Sequence, residues 1–323
     1  MANVFAALVT VFGIMFLGAL ADRRRMFPST MALCLNQFVY WVSLPGLLFT
    51  QMCTIPVDSS TRSLIWGTLV ASLLTYALFY TVFSKGFRSH TPEASIRTLG
   101  VTFPNAAFFG LPFLMMVFPG NDDAVNANML SALLYSGVFI TADTTLQILK
   151  SGGLQGSLTL RVLRELSRNP MMIVTALAMV LRLTGITLPA PILKATSMLG
   201  STAAPCALFS MGMVLSAQIS GSLGPFSLRK ALLPLCIVSA GKLLVYPLIT
   251  FVILAAAGCE GILLVSATLT TAMPIAVMVY VVSERYDASP AEVSMEVIVT
   301  TVLSMFTLPV VLYLLELQGL VQP

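Results

Sequence analysis

Residues 94–117 read ASIRTLGVTFPNAAFFGLPFLMMV. The stretch is apolar and long enough to cross a bilayer core about 30 Å thick, which takes about 20 helical residues. Pro104 falls about 11 residues in, and at 1.5 Å per residue that depth is about 16 Å, the middle of the core. Proline brings no amide hydrogen and collides with the carbonyl four residues earlier, so the helix kinks or breaks there. Gly110 and Pro112 follow. Backbone freed at that depth must be buried in protein or line a wet cavity, because lipid offers it nothing.

Residues 260–283, EGILLVSATLTTAMPIAVMVYVVS, have the same design, with Thr268, Thr270 and Thr271 just before Pro274. Entering from the other side, this span also reaches its proline near the bilayer middle. The second half of the first span is expected to begin near Asn105, and that of the second near Ile275. A helix N-terminus carries roughly half a positive charge and unpaired amides. Two such ends meeting inside a membrane make an anion site. The expected substrate-binding residues are Pro104, Asn105, Ala106, Thr271, Met273, Pro274 and Ile275. Asn105 adds a side-chain amide that can donate to a carboxylate.

Composition extends this to the whole chain. Of 323 residues, 57% are hydrophobic and 9% charged, and mean hydropathy is +0.93. A soluble domain carries about 25% charged residues, so this surface is built for lipid. Ten apolar stretches can span a bilayer: 2–21, 30–53, 63–83, 94–117, 127–149, 170–187, 191–218, 229–257, 260–283 and 291–316. The expected fold is an all-α membrane protein of ten transmembrane helices.

Basic residues orient it. Arg23, Arg24, Arg25, Lys85, Arg88, Arg97, Lys150, Arg161, Arg164, Arg168, Arg229, Lys230 and Arg285 follow odd-numbered spans, while only Arg62, Arg182 and Lys194 lie on the other side. The positive-inside rule then puts both termini outside. The basic residues sit in short loops, which argues for membrane orientation and against nucleic acid.

A charged loop divides the chain into residues 1–150, a cytoplasmic linker 151–169, and 170–323. Five spans on each side make the second half insert upside down, as in an inverted repeat. Two echoes support duplication. Pro45-Gly46-Leu47-Leu48-Phe49 answers Pro205-Cys206-Ala207-Leu208-Phe209, and Thr98-Leu99 with Pro104 answers Thr268-Leu269 with Pro274.

Ionisable residues inside spans are costly and mark function or pairing. Lys242 lies near the middle of the eighth span, where it either neutralises substrate or pairs with an acid. Asp143 and Glu296 sit at similar depths in the fifth and tenth spans. With Thr270 they are the expected ion-coupling residues, for a proton or Na⁺; the plain alternative is an acid paired with Lys242. No other cofactor and no metal are expected. Cys34, Cys53, Cys206, Cys236 and Cys259 have no C-x-x-C spacing and read as packing thiols. H-E-x-x-H, G-x-S-x-G and P-loop patterns do not occur, and Asp122-Asp123 is too little for a metal-dependent prenyl-transfer site, so an enzyme is not expected.

FVYWVSLPGLLF (38–49), VTFPNAAFFGLPF (101–113), TAAPCALFSMGMVL (202–215), TLTTAMPIAVMVYVVSERY (268–286) and TTVLSMFTLPVVLYLL (300–315) resemble the auxin efflux carrier family, in particular its bacterial members. The resemblance runs over the whole chain. It implies a ten-helix inverted repeat with crossing fourth and ninth helices, a fold shared with bile-acid/sodium symporters. It also implies that helices 1, 2, 6 and 7 form a separate bundle. Plant members carry N-P-N at both breaks. Here Phe103 replaces the first asparagine, and Met273 and Ile275 flank the second proline, which makes auxin itself a poor substrate. Bacterial relatives are assigned to small carboxylates such as malonate or malate.

The expected function is a secondary transporter of mono- or dicarboxylates working by alternating access in a bacterial inner membrane. Its partners would be the carboxylate substrate, membrane lipid and a second copy of the chain in a homodimer. One alternative is a sodium-coupled symporter of larger amphipathic acids, bile-acid-type or auxin-like. A membrane receptor that binds without flux is another.

Overall fold

Helix lies over all ten apolar stretches. The structure is a computed structural model that describes residues 2–52, 59–86, 92–151, 167, 170–184, 188–221 and 228–320. In chain order, α1 is Ala2–Arg23, α2 31–52, α3 59–86, α4 Pro92–Thr102, α5 106–117 and α6 Asp122–Ser151. Then come α7 Pro170–Thr184, α8 190–221, α9 228–256, α10 Gly261–Ala272, α11 Val277–Tyr286 and α12 Pro290–Leu317. The described residues form no β-strand. Most of the linker expected at 151–169 lies outside them, with its Arg161, Arg164, Glu165 and Arg168.

By length and hydropathy, α1, α2, α3, α8, α9 and α12 can each cross a membrane, while Ala106–Val117 and Gly261–Ala272 are shorter apolar helices. Their outward faces carry large bare side chains: Phe5 is 71% exposed, Trp66 66% and Phe306 68%. A soluble protein does not display such an unbroken apolar surface. Lipid accounts for it.

Prolines shape the helices beyond the two breaks. Widened π turns at Val39–Ser43, Ala106–Gly110 and Gly241–Val245 each end two residues before a proline, namely Pro45, Pro112 and Pro247. A proline removes the bond to the carbonyl four residues back and crowds it, and one wider turn relieves both effects. The stretch expected as one span at 191–218 is one membrane-length helix, with a single turn residue at Thr202 just ahead of Pro205.

The helices pack as two groups. In one, α1 lies along α8, and α2 packs on α7 and α8. Contact there is backbone to backbone. A Cβ at Gly18 would stand 2.0 Å from the Phe209 carbonyl oxygen, and one at Gly212 would stand 1.9 Å from that of Met15. A Cβ at Gly200 would stand 2.8 Å from Leu47 Cα. Small residues allow such approach where lipid supplies no hydrophobic drive between helices.

In the other group α3 packs on α4, α6 and α9, α10 packs on α6, α9 and α12, and α11 packs on α12. Phe79, Leu99, Val238, Ile275 and Val297 belong to its buried core. The half-helix α5 lies between the groups, against α1 and α8 on one side and α6 on the other.

Candidate functional site

Pro104 ends α4 and Pro274 ends α10. The residue before a proline is pushed out of helical conformation, and Met273 is extended at φ −62°, ψ 155°. The two extended stretches then pair with each other, Pro104 opposite Ile275 in an antiparallel bridge. The Asn105 amide donates to the Pro274 carbonyl at 2.8 Å, and the Ala276 amide to the Phe103 carbonyl at 3.2 Å. Backbone freed by one proline is thus satisfied at the other, as a low-dielectric interior demands.

This pairing changes one expectation. The second half-helix does not begin at Ile275, whose amide donates to Thr300 Oγ1 at 3.3 Å. It begins at Val277. The other half-helix starts as expected next to Asn105, which caps it. The Phe108 amide donates to Asn105 Oδ1 at 3.3 Å, and the amides of Phe109 and Gly110 donate to the Asn105 carbonyl. Asn105 Nδ2 points at Met211 Sδ, 3.3 Å away on α8. Thioether sulfur is a weak acceptor, so this donor is available to a better one.

The first-turn amides of Ala107, Val277 and Met278 have no acceptor within their own helices. All three residues line one cavity of about 560 Å³. Pro104, Asn105 and Ala106 line it too, with Asn36, Gln37, Tyr40 and Trp41 from α2, Tyr135 and Phe139 from α6, and Met211 from α8. Among the described residues the polar atoms come from asparagine, glutamine, tyrosine and main chain, and no lysine, arginine or carboxylate stands in the wall. Two helix N-termini, with no fixed charge among these residues, favour an anion over a cation. A second cavity, about 660 Å³, lies between Phe118, Cys259, Glu260 and Gly319. Its one charged side chain is a carboxylate, so it offers an anion nothing.

The other expected site residues stand behind this cavity. Lys242 is fully buried, with Nζ 2.6 Å from the Thr271 carbonyl oxygen and 5.0 Å from the centre of the Tyr246 ring. It does not line the cavity, and among the described residues no acid stands within ion-pair distance of it. Thr271 turns its hydroxyl onto the Thr268 carbonyl. Met273 is buried in the core formed with Phe109 and Phe113, and Pro274 and Ile275 serve the bridge. Thr270 donates to Asn128 Oδ1 at 3.0 Å. Glu296, 1% exposed, lies beside Gly100 on α4. The Asp143 side chain lies outside the described residues, as does His90. Among the described residues no group of three His, Cys, Asp or Glu could hold a metal ion.

Asn128 was not anticipated. It ties the breaks together from α6, with Nδ2 donating to the Ala106 carbonyl at 3.1 Å and Oδ1 accepting from Thr270. Its signal in the sequence was weak, because it closes a polar run from Asn121 that reads as a helix start at the surface. Tyr135 was missed as one aromatic residue in an apolar span. Its hydroxyl lies buried near those of Tyr246 and Ser131 without a well-formed hydrogen bond.

A protein of Rhizobium meliloti (strain 1021) named "Putative malonate transporter" is 26% identical over 98% of this chain and 97% of its own length. "Uncharacterized transporter YfdV" of Escherichia coli (strain K12) is 25% identical over 65% of this chain and 68% of its own. The family described as "Membrane transport protein" matches residues 3–312. A chain with several membrane-length apolar helices and a family match of that extent belongs to this membrane transport family and is an integral membrane transporter.

Proposed function

We propose that this chain is a secondary carrier of small organic anions, mono- or dicarboxylates such as malonate or malate, working by alternating access. The observation that carries the proposal is the opening of two half-helix N-termini, at Ala106 and Val277, on one cavity whose described lining residues hold no fixed charge. A carboxylate there would meet the amides of Ala107, Val277 and Met278 and the Asn105 side chain. The name of the R. meliloti relative supports a dicarboxylate.

In this proposal the chain is a five-plus-five inverted repeat. Helices α1, α2, α3, α4–α5 and α6 form one half, and α7, α8, α9, α10–α11 and α12 the other. The fourth member of each half is the broken one, and the breaks pair with each other. The group α1, α2, α7 and α8 moves against the rest, and the cavity between them opens to either side in turn. The basic residues favour both termini outside a bacterial inner membrane. A homodimer fits the bare apolar faces of the helices.

A second reading, carriage of a larger amphipathic acid, draws on the walls. Trp41, Phe103, Phe108, Phe139, Met171 and Met211 are far more apolar surface than malonate needs. Sodium coupling gains no such support, because the Thr271 carbonyl already holds Lys242 and Thr270 already holds Asn128.

Purified protein in liposomes is expected to accumulate radiolabelled malonate, and Asn105→Ala to slow uptake about tenfold or more, the worth of about 1.4 kcal/mol. Wild-type uptake by the variant would reject the site. Displacement of malonate by an aromatic monocarboxylate at lower concentration would favour the second reading.

A further inference from the structure

Glu296 is the one carboxylate buried in the core of α12, and neither the cavity nor the bridge uses it. Its Oε2 has no hydrogen-bond partner. A Cβ added to Gly100 would stand 3.5 Å from that oxygen, 3.5 Å from Val238 Cγ1 and 3.7 Å from Ile275 Cδ1. The carboxyl therefore lies at the space left by a glycine one turn before Pro104, a space that the side chain of Ile275, the residue bridged to Pro104, also borders. It stands behind the substrate cavity, beside the α4 limb of the paired breaks. Its main-chain carbonyl is joined to the same place, accepting from Thr300 Oγ1, which accepts the Ile275 amide.

The geometry points to Glu296 as the proton-binding residue of the carrier, reached from water past the Arg97–Glu292 ion pair. This rests on the carrier function above. The pair is 2.7 Å long, with side chains 13% and 27% exposed. It lies one turn nearer the helix ends than Gly100 and Glu296, about 6 Å at 1.5 Å per residue. The carboxylate takes one proton from water on that side, becomes a carboxylic acid, and returns the proton to water after the helices move. One positive charge crosses with the anion.

A metal cation fits the place poorly. Hard cations take about six oxygen ligands, whereas the carboxyl shares the space beside Gly100 with the apolar side chains of Val238 and Ile275. A proton needs only the carboxyl itself, and the neutral acid gains an O–H donor. The Gly100 carbonyl nearby lacks a helical donor because residue 104 is proline.

The charges acting on Glu296 are Arg97 on α4 and Glu292 on its own helix. Among the other helices packed on α12, α9 brings Lys242, held on the Thr271 carbonyl, and Cys236, with Arg229 and Lys230 at its start. From α11 come Tyr280, Tyr286 and the exposed Glu284 and Arg285, α10 has no charge, and α1 has Asp22 and Arg23 at its end.

The test reads the proton and the substrate separately. Infrared difference spectra of the full chain in liposomes, titrated from alkaline to acid, are expected to contain a protonated-carboxyl band that shifts in D₂O. The band should be lost in Glu296→Gln and displaced in Glu296→Asp. Identical spectra for wild type and Glu296→Gln overturn the assignment whether or not malonate is a substrate. In the malonate arm, Glu296→Gln should keep exchange at equal pH within about threefold of wild type and lose pH-gradient-driven accumulation by about tenfold or more. Retained gradient-driven accumulation, or accumulation that follows Na⁺ instead, overturns the proposal. Absence of any malonate movement in wild type counts against the carrier reading for that substrate, and the infrared arm still decides the proton site.

Discussion

Nζ of Lys242 stands 2.6 Å from the main-chain carbonyl oxygen of Thr271, in the last turn of α10. The final carbonyls of any helix lack helical donors and form its negative end. Here that end is buried beside Pro274, where water does not reach it, and a lysine from the π turn at Gly241–Val245 supplies the donor. Lys242→Met keeps the length of the side chain and removes that donor. Leaving a buried carbonyl unsatisfied costs about 1–3 kcal/mol. The variant is expected to melt at lower temperature in detergent by a corresponding amount. An unchanged melting midpoint would mean that another donor replaces Nζ, and that Lys242 does not secure the break.

The contact of α1 with α8 yields a sharper mechanical expectation. Gly212 faces the Met15 carbonyl so closely that a Cβ would lie 1.9 Å from its oxygen, and Gly18 faces Phe209 in the same way. These neighbours are backbone, which cannot swing aside as a side chain can. Gly212→Ala must therefore push α1 and α8 apart. Overpacking costs about 1–3 kcal/mol, and more where backbone must move. Thermal unfolding in detergent should show the loss. Gly13, whose Cβ would meet nothing within 4 Å, is the control, and Gly13→Ala should melt with wild type. Equal midpoints for the two variants would show that the helices do not touch as described.

What the sequence disclosed depended on range. Pro104 and Pro274 announce the breaks because proline acts on its own turn, and the apolar runs announce the spans because their length is a local property. The occupancy of amides at the breaks is not local. Ile275 looked like an open donor, but Thr300, 25 residues away, takes it, and no pattern around residue 275 discloses that. Lys242 was visible as an intramembrane lysine, whereas its partner is a carbonyl, which every residue carries and which therefore leaves no mark in sequence. Asn128 hid for the opposite reason, since the polar residues before it, Asn121, Asp122, Asp123 and Asn126, make it look like part of a surface turn. The π turns were legible in principle from Pro45, Pro112 and Pro247, because each relieves the proline two residues on.

Tyr135 separates a binding role from a packing role. It is 1% exposed, lines the cavity, and its hydroxyl has no well-formed hydrogen bond. A buried hydroxyl without a well-formed hydrogen bond contributes little to the fold and can cost it. Removing it in Tyr135→Phe should leave the melting midpoint unchanged or raise it slightly. If a substrate carboxylate completes that hydroxyl, the same change should weaken malonate binding. A neutral donor lost from a charged acceptor is worth about 1.5–3 kcal/mol, or roughly tenfold to a hundredfold in Kd. Calorimetric titration of wild type and Tyr135→Phe with malonate measures one effect, and thermal unfolding without ligand measures the other. A lowered midpoint with unchanged Kd would assign Tyr135 to packing against Tyr246 and Ala106, its neighbours in the core behind the cavity. The expected result, weaker binding by a protein at least as stable, is one that a purely structural tyrosine does not give.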